Sequence, residues 1–410
     1  MDNHQRQVYV GIDVHRDEHK AAILPVALLE GSRADWKEVK PLSVKNNIHD
    51  FKCLDDAIRH HAAHPQDVAV AVDHTGGHYS EPLVYFLQSK GYNLYYLEPK
   101  AVKAARERLL DEENKSDHID AIGSAYLLYL RDKHGISFRI PTVAPELGTR
   151  AVTLRTLVYH RSQYSKLAVQ ATNRLHQLLI AVFPEGEAKY FAKLLRVVPY
   201  YPTPKEMLAS NGLEGVKWVG TENKQAILRL AAETVGAPSD LYRDLIQDLS
   251  LQRMEALAKR DTITIVIRNE VMAHPDGPIL LSFPFIGETA AATIIGIIKD
   301  INRWPNKKKL KKALGVYGRL SQSGSAPGKH RRGKEGSKEA RRVLFQVVFG
   351  TISRKAPPND FRDYYLRQVA RGKPKPKAIV ATMGKLAEII YHCVKAGEPY
   401  EYQGKYSNHR

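Results

Sequence analysis

Two short apolar runs near the start of the chain each end in an aspartate. Residues 8–12 are followed by Asp13, and residues 68–72 are followed by Asp73. Short runs that are rich in β-branched side chains and bounded by polar residues predict buried strands. Each of these strands is therefore expected to present a carboxylate where it ends.

A second pair of acids precedes a helical segment. Asp117 and Asp120 lie just before the apolar residues 122–130, and their spacing places both carboxylates on one face of the first helical turn. Two strand-end acids and a helical pair can hold divalent ions through oxygen ligands, which suit Mg²⁺ or Mn²⁺. Such ions stabilise the attacking and leaving oxygens of a phosphoryl transfer. For each aspartate alone, the alternative is a turn or helix-cap residue.

Strand and helix signals alternate up to about Pro141. A strand at residues 20–24 is expected to pair with the first strand, helices are expected at residues 50–60 and 81–89, and a further strand at residues 93–97. This mixed α/β order, with acids at strand ends, predicts a ribonuclease-H-like sheet in a domain of residues 1–141.

The middle of the chain, residues 142–275, is predicted to be helical around a Gly- and Pro-rich connector. One run of positions alternates in steps of three and four, and all but one of its members are apolar: Leu154, Leu157, Arg161, Tyr164, Ala168, Ala171, Leu175, Leu178 and Val182. Such a heptad seam is typical of a coiled coil between subunits. The alternative is a helix that packs within one subunit.

The charge of the chain predicts a nucleic-acid partner. The chain has 62 Lys and Arg against 44 Asp and Glu, a net charge of +18, which attracts polyanions such as DNA and RNA. The basic residues concentrate in the last third of the chain, away from the acids. One cluster there is predicted to bind phosphates: Lys329, Arg331, Arg332, Lys334, Arg341 and Arg342.

Cysteine usage and hydropathy indicate the compartment. Cys53 and Cys393 are too few for a disulfide framework or a zinc site, which fits a reducing cytosol. The start of the chain is polar rather than a signal peptide. The most apolar window, residues 278–298, is interrupted by Pro, Gly and Glu, so a buried turn and helix are expected rather than a membrane span. A cytoplasmic protein with no membrane partner is expected.

The third segment, residues 276–410, contains two features suited to phosphate chemistry. Residues 283–287 form a Pro- and Gly-containing turn before a helix that is expected from Glu288, and a helix N-terminus can bind a phosphate. Residues 321–325 place serines beside glycine in a loop flanked by Lys and Arg. A serine in such a loop can act as a phosphotransfer nucleophile, and the alternative is an ordinary turn.

These segments, in this order, resemble the insertion-sequence 110 family of transposases. Four segments of this chain resemble the N-terminal half of those transposases: GIDVH, VDHTGGHY, NLYYLEPKAVKAARER and KSDHIDA. The helix that ends in FPEG resembles their central coiled coil. Four further segments resemble the C-terminal transposase domain of that family: FPFIGETAAATIIG, RWPNKKKLKKALGVYGRLSQSG, KEGSKEARRVL and RGKPKPKAIVATMGKLAEIIYHCVKAGEPY. The resemblance covers nearly the whole chain.

The resemblance implies a DNA recombinase of a mobile element. It implies a RuvC-like N-terminal domain whose DEDD tetrad binds divalent metal, here Asp13, Asp73, Asp117 and Asp120, and a helical C-terminal domain with a serine for strand exchange, here Ser323. The family acts as a homo-oligomer, dimer or tetramer, with an element-encoded guide RNA that pairs with donor and target DNA.

Two departures from the family pattern affect the site. The second acid is usually Glu, and Asp73 is one methylene shorter, so the metal must lie closer to that strand or be bridged by water. Ser321 and Ser325 flank Ser323, so the nucleophile can also fall two residues to either side.

Two other classes of protein would account for some of the same residues. A structure-specific nuclease of the Holliday-junction resolvase type would use the same acids without the serine loop. A non-catalytic nucleic-acid-binding protein would account for the charge but not for four ordered acids. Metal-dependent covalent attachment to DNA distinguishes the recombinase from both.

Overall fold

The structure, a computed structural model, describes residues 6–32, 39–73, 78–97, 99–108, 116–135, 145–237, 240–321, 329–332 and 336–404. The chain divides into two compact units. The first comprises Met1–Ala151, Ile297–Ser337 and Gly384–Glu398, and the second comprises Val152–Gly296, Lys338–Met383 and Pro399–Arg410. Judged by length and apolarity, a bilayer-spanning helix is not found in the described residues.

The N-terminal part of the first unit alternates strands and helices. In chain order its elements are β1 (Val8–Asp13), β2 (Glu18–Pro25), α1 (Val26–Leu29), β3 (Leu42–Lys45), α2 (Ile48–Arg59), β4 (Val68–Asp73), α3 (Glu81–Ser89), β5 (Asn93–Leu97), α4 (Pro99–Arg108) and α5 (Asp117–His134). The strands and helices predicted for this region are confirmed, with small shifts of their ends.

Five strands form one sheet in the order β3-β2-β1-β4-β5. β1 pairs antiparallel with β2, as the predicted hairpin requires, and parallel with β4, where Ile12 lies opposite Val72. β5 continues the parallel part of the sheet beside β4. The predicted mixed α/β sheet is confirmed, and its topology is consistent with a ribonuclease-H-like domain.

Helices cover both faces of this sheet. Successive side chains of a strand point to opposite faces: Val8, Val10 and Ile12 belong to the core that includes residues of α2 and α3, whereas Tyr9 belongs to the core formed with α5. Strands buried on both faces have almost continuously apolar sequences. This is why β1 and β4 could be found from their apolar runs alone.

Gly11 brings β1 into direct backbone contact with α5. A methyl group on its Cα would lie 2.0 Å from the carbonyl oxygen of Ala121 and 2.6 Å from the backbone nitrogen of Ala125. A residue with a Cβ would therefore overlap the helix. This contact sets the distance between the end of β1 and the first turn of α5.

The rest of the described chain is mainly helical. Its elements are α6 (Pro145–Val182), α7 (Pro184–Val197), α8 (Pro204–Ala209), α9 (Thr221–Ala232), α10 (Asp240–Ala273), α11 (Asp276–Leu281), α12 (Glu288–Ile298), α13 (Lys307–Ala313), β6 (Gly318–Ser321), β7 (Lys329–Arg332), α14 (Lys338–Thr351), α15 (Asp360–Ala370) and α16 (Lys375–Ala396). A helix-rich remainder is thus confirmed. The β6–β7 hairpin was not predicted.

The long helices α6 and α10 lie side by side in opposite directions within the second unit. The Nε of Arg161 donates a hydrogen bond of 2.8 Å to Thr264, and the Nε of Arg253 donates one of 3.0 Å to Thr172. An early residue of α6 thus meets a late residue of α10. Several positions of the predicted seam are buried within the chain, namely Leu154, Ala168, Ala171, Leu175 and Val182. The seam has an intramolecular partner, and a coiled coil between subunits stays a prediction.

Candidate metal centre and nucleic-acid interface

Asp13 and Asp73 end two neighbouring parallel strands. Because Ile12 of β1 pairs with Val72 of β4, the two aspartates follow at the same edge of the sheet. The side chain of Asp13 is buried. Of Asp73, the structure describes the strand backbone, and its side chain lies outside the described part.

Asp117 and Asp120 lie in the first turn of α5, as the sequence predicted. Ser116 is the N-cap residue of this helix and has an extended backbone conformation. The side chain of Asp117 is half exposed, whereas Asp120 is buried. The close contact of α5 with β1 brings this turn toward the end of the strand.

A histidine joins two of these acids in one cluster. The Nε2 of His15 lies 3.0 Å from an oxygen of Asp13 and 3.2 Å from an oxygen of Asp117. One potential ligand atom from each of the three residues lies within 4.8 Å of the others. The sequence reasoning missed His15. The available signal was its position two residues after Asp13, in a turn that follows the strand.

The electrostatics of Asp13 favour a bound cation. Burial raises the pKa of the Asp13 carboxyl, and repulsion from Asp117 and Asp120 raises it further, whereas His15 acts in the opposite direction. The ionised form of Asp13 is therefore costly in the absence of a positive charge. Two carboxylates and an imidazole form a donor set that can hold a divalent ion.

Asp120 forms a buried ion pair beside this cluster. The Nη1 of Arg106, on α4, donates hydrogen bonds of 2.7 and 2.9 Å to the two carboxylate oxygens of Asp120. Both side chains are 8% exposed. Arg106 was not singled out in the sequence, because it is one of several basic residues in an ordinary helical segment. Asp120 nevertheless lies close enough to Asp13 to affect its pKa.

The predicted phosphate-binding residues fall on two described elements. Lys329, Arg331 and Arg332 lie on β7, and Arg341 and Arg342 lie on α14. Arg342 is exposed and Arg341 is half-buried. Lys334, which belongs to the same predicted cluster, lies outside the described residues.

The β6–β7 hairpin frames the predicted serine loop. Ser321 ends β6 and pairs with Lys329, the first residue of β7. Ser323 and Ser325 follow between the two strands and lie outside the described residues. Because the strands are antiparallel, the basic residues of β7 run back alongside β6.

One face of α14 combines exposed positive charge with exposed aromatic rings. Lys338, Arg342, Phe345 and Phe349 are exposed and follow one another at helical spacing. The rings of Phe345 and Phe349 are stacked, with centroids 6.1 Å apart. Surfaces that combine cations and aromatic rings bind the backbone and the unpaired bases of nucleic acids. This face was not predicted from the sequence.

Two family models match the chain, and they belong to the same group of proteins. Residues 10–184 match the DEDD transposase model of the IS110 family, described as a transposase, and residues 277–366 match a model described as "Transposase IS116/IS110/IS902 family". Together they span more than half of the chain. The fold and the acidic cluster thus lie in a DEDD-type transposase segment. The chain belongs to the IS110 family of transposases, as its sequence motifs indicated.

Two curated proteins are similar to parts of the chain. The "Insertion element IS110 uncharacterized 43.6 kDa protein" of Streptomyces coelicolor is 25% identical over 173 residues, which are 42% of this chain and 42% of that protein. The "Pilin gene-inverting protein" of Moraxella lacunata is 28% identical over 124 residues, which are 30% of this chain and 38% of that protein. The chain thus matches about two fifths of the length of each relative.

Proposed function

We propose that this protein is a metal-dependent DNA recombinase of an insertion sequence, which cleaves and exchanges strands through a serine nucleophile. The observation that supports this most is the meeting of Asp13 and Asp117, from a strand end and a distant helix, in a member of a transposase family. A relative named for inverting a pilin gene supports DNA rearrangement as the reaction class.

The proposed metal ligands are the four acids of the tetrad: Asp13, Asp73, Asp117 and Asp120. When bound, Mg²⁺ or Mn²⁺ stabilises the negative charge that develops on the phosphate oxygens during strand cleavage. The carboxyl of Asp13 must be ionised to act as a ligand, and because burial raises its pKa, a nearby cation favours the ionised form. The end of β1 and the first turn of α5 are the rigid elements that bring Asp13 and Asp117 together.

Ser323 is the proposed nucleophile. Its hydroxyl loses its proton as the oxygen attacks the phosphorus of a DNA phosphodiester, the bond to the leaving sugar oxygen breaks, and that oxygen takes up a proton. The product is a phosphoserine ester that keeps the strand attached to the protein. Lys329 and Arg331, which return along the hairpin after the loop, are suited to neutralise the charge that develops at the phosphate.

DNA and an element-encoded guide RNA are the proposed nucleic-acid partners. The net charge of +18 and the basic clusters of the last third of the chain favour polyanions. The charged and aromatic face of α14 adds a surface that suits unpaired bases.

A second copy of the chain is a further proposed partner. The seam of α6 remains a proposed surface for self-association. Because part of this seam packs within the chain, the outer stripe of α10 is proposed as a second such surface. At heptad spacing this stripe presents four large apolar residues that are exposed, Leu251, Met254, Ile265 and Met272, with Ala258, Asp261 and Arg268 at the positions between them.

The proposal is tested by covalent capture on DNA that contains the element ends, in the presence of guide RNA and Mg²⁺. The wild-type chain is expected to yield a protein–DNA adduct on a peptide that contains Ser323. Ser323→Ala should lose the adduct but keep nucleic-acid binding, and Asp13→Asn should lose it as well. Asp17→Asn is the matched control, because Asp17 lies in the turn that follows Asp13 but its side chain is 92% exposed.

The outcomes separate the three classes of protein. An adduct at Ser321 or Ser325 would correct the register of the nucleophile. Cleavage that requires metal and Asp13 but forms no adduct would favour a nuclease of the resolvase type. Binding of nucleic acid without cleavage in any metal would favour a non-catalytic protein.

A further inference from the structure

The geometry points to His15 as a nitrogen ligand of the metal centre, so that the site binds Mn²⁺ in preference to Mg²⁺. This inference rests on the proposed metal-dependent function and adds a residue outside the acidic tetrad. His15 lies in the turn between β1 and β2, and its side chain is 38% exposed. The same Nε2 atom approaches carboxylate oxygens of both Asp13 and Asp117.

The distance from the imidazole nitrogen of His15 to each of the two carboxylate oxygens is that of adjacent ligands around one ion. Ligands of a first-row divalent cation lie roughly 2.1 Å from the metal, so neighbours at right angles are about 3.0 Å apart. The distances from the Nε2 of His15 are 3.0 Å to Asp13 and 3.2 Å to Asp117. The contact with Asp13 has hydrogen-bond geometry, and the same spacing suits two ligands of one shared ion.

A hydrogen-bond chain holds the backbone of His15 in place. The backbone N–H of His15 donates to the Nδ1 of His19 at 3.3 Å, and the Nε2 of His19 lies 3.0 Å from the Oδ1 of Asn46. Because an amide oxygen only accepts, His19 carries its proton on Nε2. The Nδ2 of Asn46 in turn donates to the carbonyl of Tyr79 at 3.1 Å.

His19 thereby acts as a positioning residue for the turn. It is fully buried, and it links the β1–β2 turn to the segment after β3 and to the segment that precedes α3. The turn is thus fixed by contacts that do not involve the side chains of the proposed metal ligands. The His15 ring is presented toward the carboxylates before any ion binds, which lowers the cost of ordering the ligand.

The donor set decides the preference between the two candidate ions. Mg²⁺ requires oxygen ligands and gives up its water reluctantly, whereas transition metals accept imidazole nitrogen readily. A site with His15 as a ligand should therefore gain affinity for Mn²⁺ and little for Mg²⁺. Removal of the imidazole should reduce that difference.

The decisive measurement is pulsed electron paramagnetic resonance of Mn²⁺ bound to the full-length chain labelled with ¹⁵N-histidine. The wild-type protein should show electron spin echo modulation from one directly bound nitrogen. His15→Gln should lose this signal and keep bound Mn²⁺, and His64→Gln, a change at an exposed histidine elsewhere in the first unit, should retain it. Bound Mn²⁺ without nitrogen modulation in the wild type would overturn the assignment.

Calorimetric titration with each ion separately gives an independent result. His15→Gln should lower the affinity for Mn²⁺ by tenfold or more, and should change the affinity for Mg²⁺ by less than threefold. An unchanged ratio in a variant with the wild-type melting temperature would also overturn the assignment. If the wild type binds no metal, the proposed function is refuted. If the protein recombines DNA with Mn²⁺ bound only through oxygen ligands, only the role of His15 is refuted.

Discussion

Gly11→Ala is the change that tests most directly how the fold holds the proposed metal centre. The substitution adds one methyl group at a position where β1 touches the backbone of α5. That methyl would lie 2.0 Å from the carbonyl oxygen of Ala121, and real Cβ atoms do not approach such an atom closer than 3.0 Å. The strand and the helix must therefore separate by about 1 Å, because the obstructing atoms belong to the backbone and cannot rotate away.

The size of this displacement determines the expected effect. Asp13 follows two residues after Gly11 on β1, whereas Asp117 lies at the start of α5, so the separation acts directly between the two carboxylates. Metal ligands tolerate errors of roughly 0.2 Å, and a misplacement of about 1 Å costs on the order of 100-fold in rate. Overpacking itself costs about 1–3 kcal/mol, so the protein should fold with a melting temperature lowered by a few degrees.

The assay combines Mn²⁺ titration, thermal melting and adduct formation on the same preparation. Gly11→Ala should weaken Mn²⁺ binding at least tenfold and reduce adduct formation about 100-fold. Gly220→Ala is the matched control, because a methyl group there would meet its nearest neighbour at 3.8 Å, an ordinary contact. Wild-type metal affinity in a folded Gly11→Ala variant would refute the claim that this glycine sets the spacing of the acids.

Three further outcomes are expected. The pKa of Asp13 is raised in the folded protein, so its contribution to stability is present below the unfolded-state pKa and is lost as the pH rises through the folded-state pKa. In scanning fluorimetry of the metal-free protein at pH 7, Asp13→Asn should therefore raise the melting temperature. Mg²⁺ should raise the melting temperature of the wild type but not that of Asp13→Asn, and an equal rise in both proteins would contradict this. Arg106→Met leaves the Asp120 carboxylate buried without its partner and should cost about 3–5 kcal/mol in denaturant unfolding, and the added change Asp120→Asn should restore much of this loss. Glutamate at Leu251 and Ile265 together should shift the mass measured by light scattering toward the monomer without lowering the melting temperature, whereas Leu175→Ala should cost about 2–5 kcal/mol and leave the mass unchanged.

The sequence predicted the sheet well because its central strands are buried on both faces. β1 and β4 need apolar residues at every position, so each run and the aspartate that ends it stand out against polar surroundings. The first turn of α5 could be found for a similar reason, since the apolar residues of that helix begin directly after Asp120.

The partners of these acids could not be predicted in the same way. The role of His15 depends on how the β1–β2 turn folds back, and that of Arg106 depends on the packing of α4 against α5. Neither relation leaves a periodic signal in the sequence. The heptad pattern of α6 was found, but a pattern specifies an apolar face and not the partner that covers it. Here α10 of the same chain covers part of that face.

The ion pair between Arg106 and Asp120 has a consequence for metal stoichiometry. With the Arg106 guanidinium in place, one of the four carboxylates of the proposed tetrad is already neutralised by the protein. The three remaining charges exceed the charge of one divalent ion but fall short of that of two. One ion per chain is therefore the expected loading of the resting protein. A second ion can be accommodated only if Asp120 exchanges its guanidinium partner for the metal, which makes full occupancy a step separate from the first.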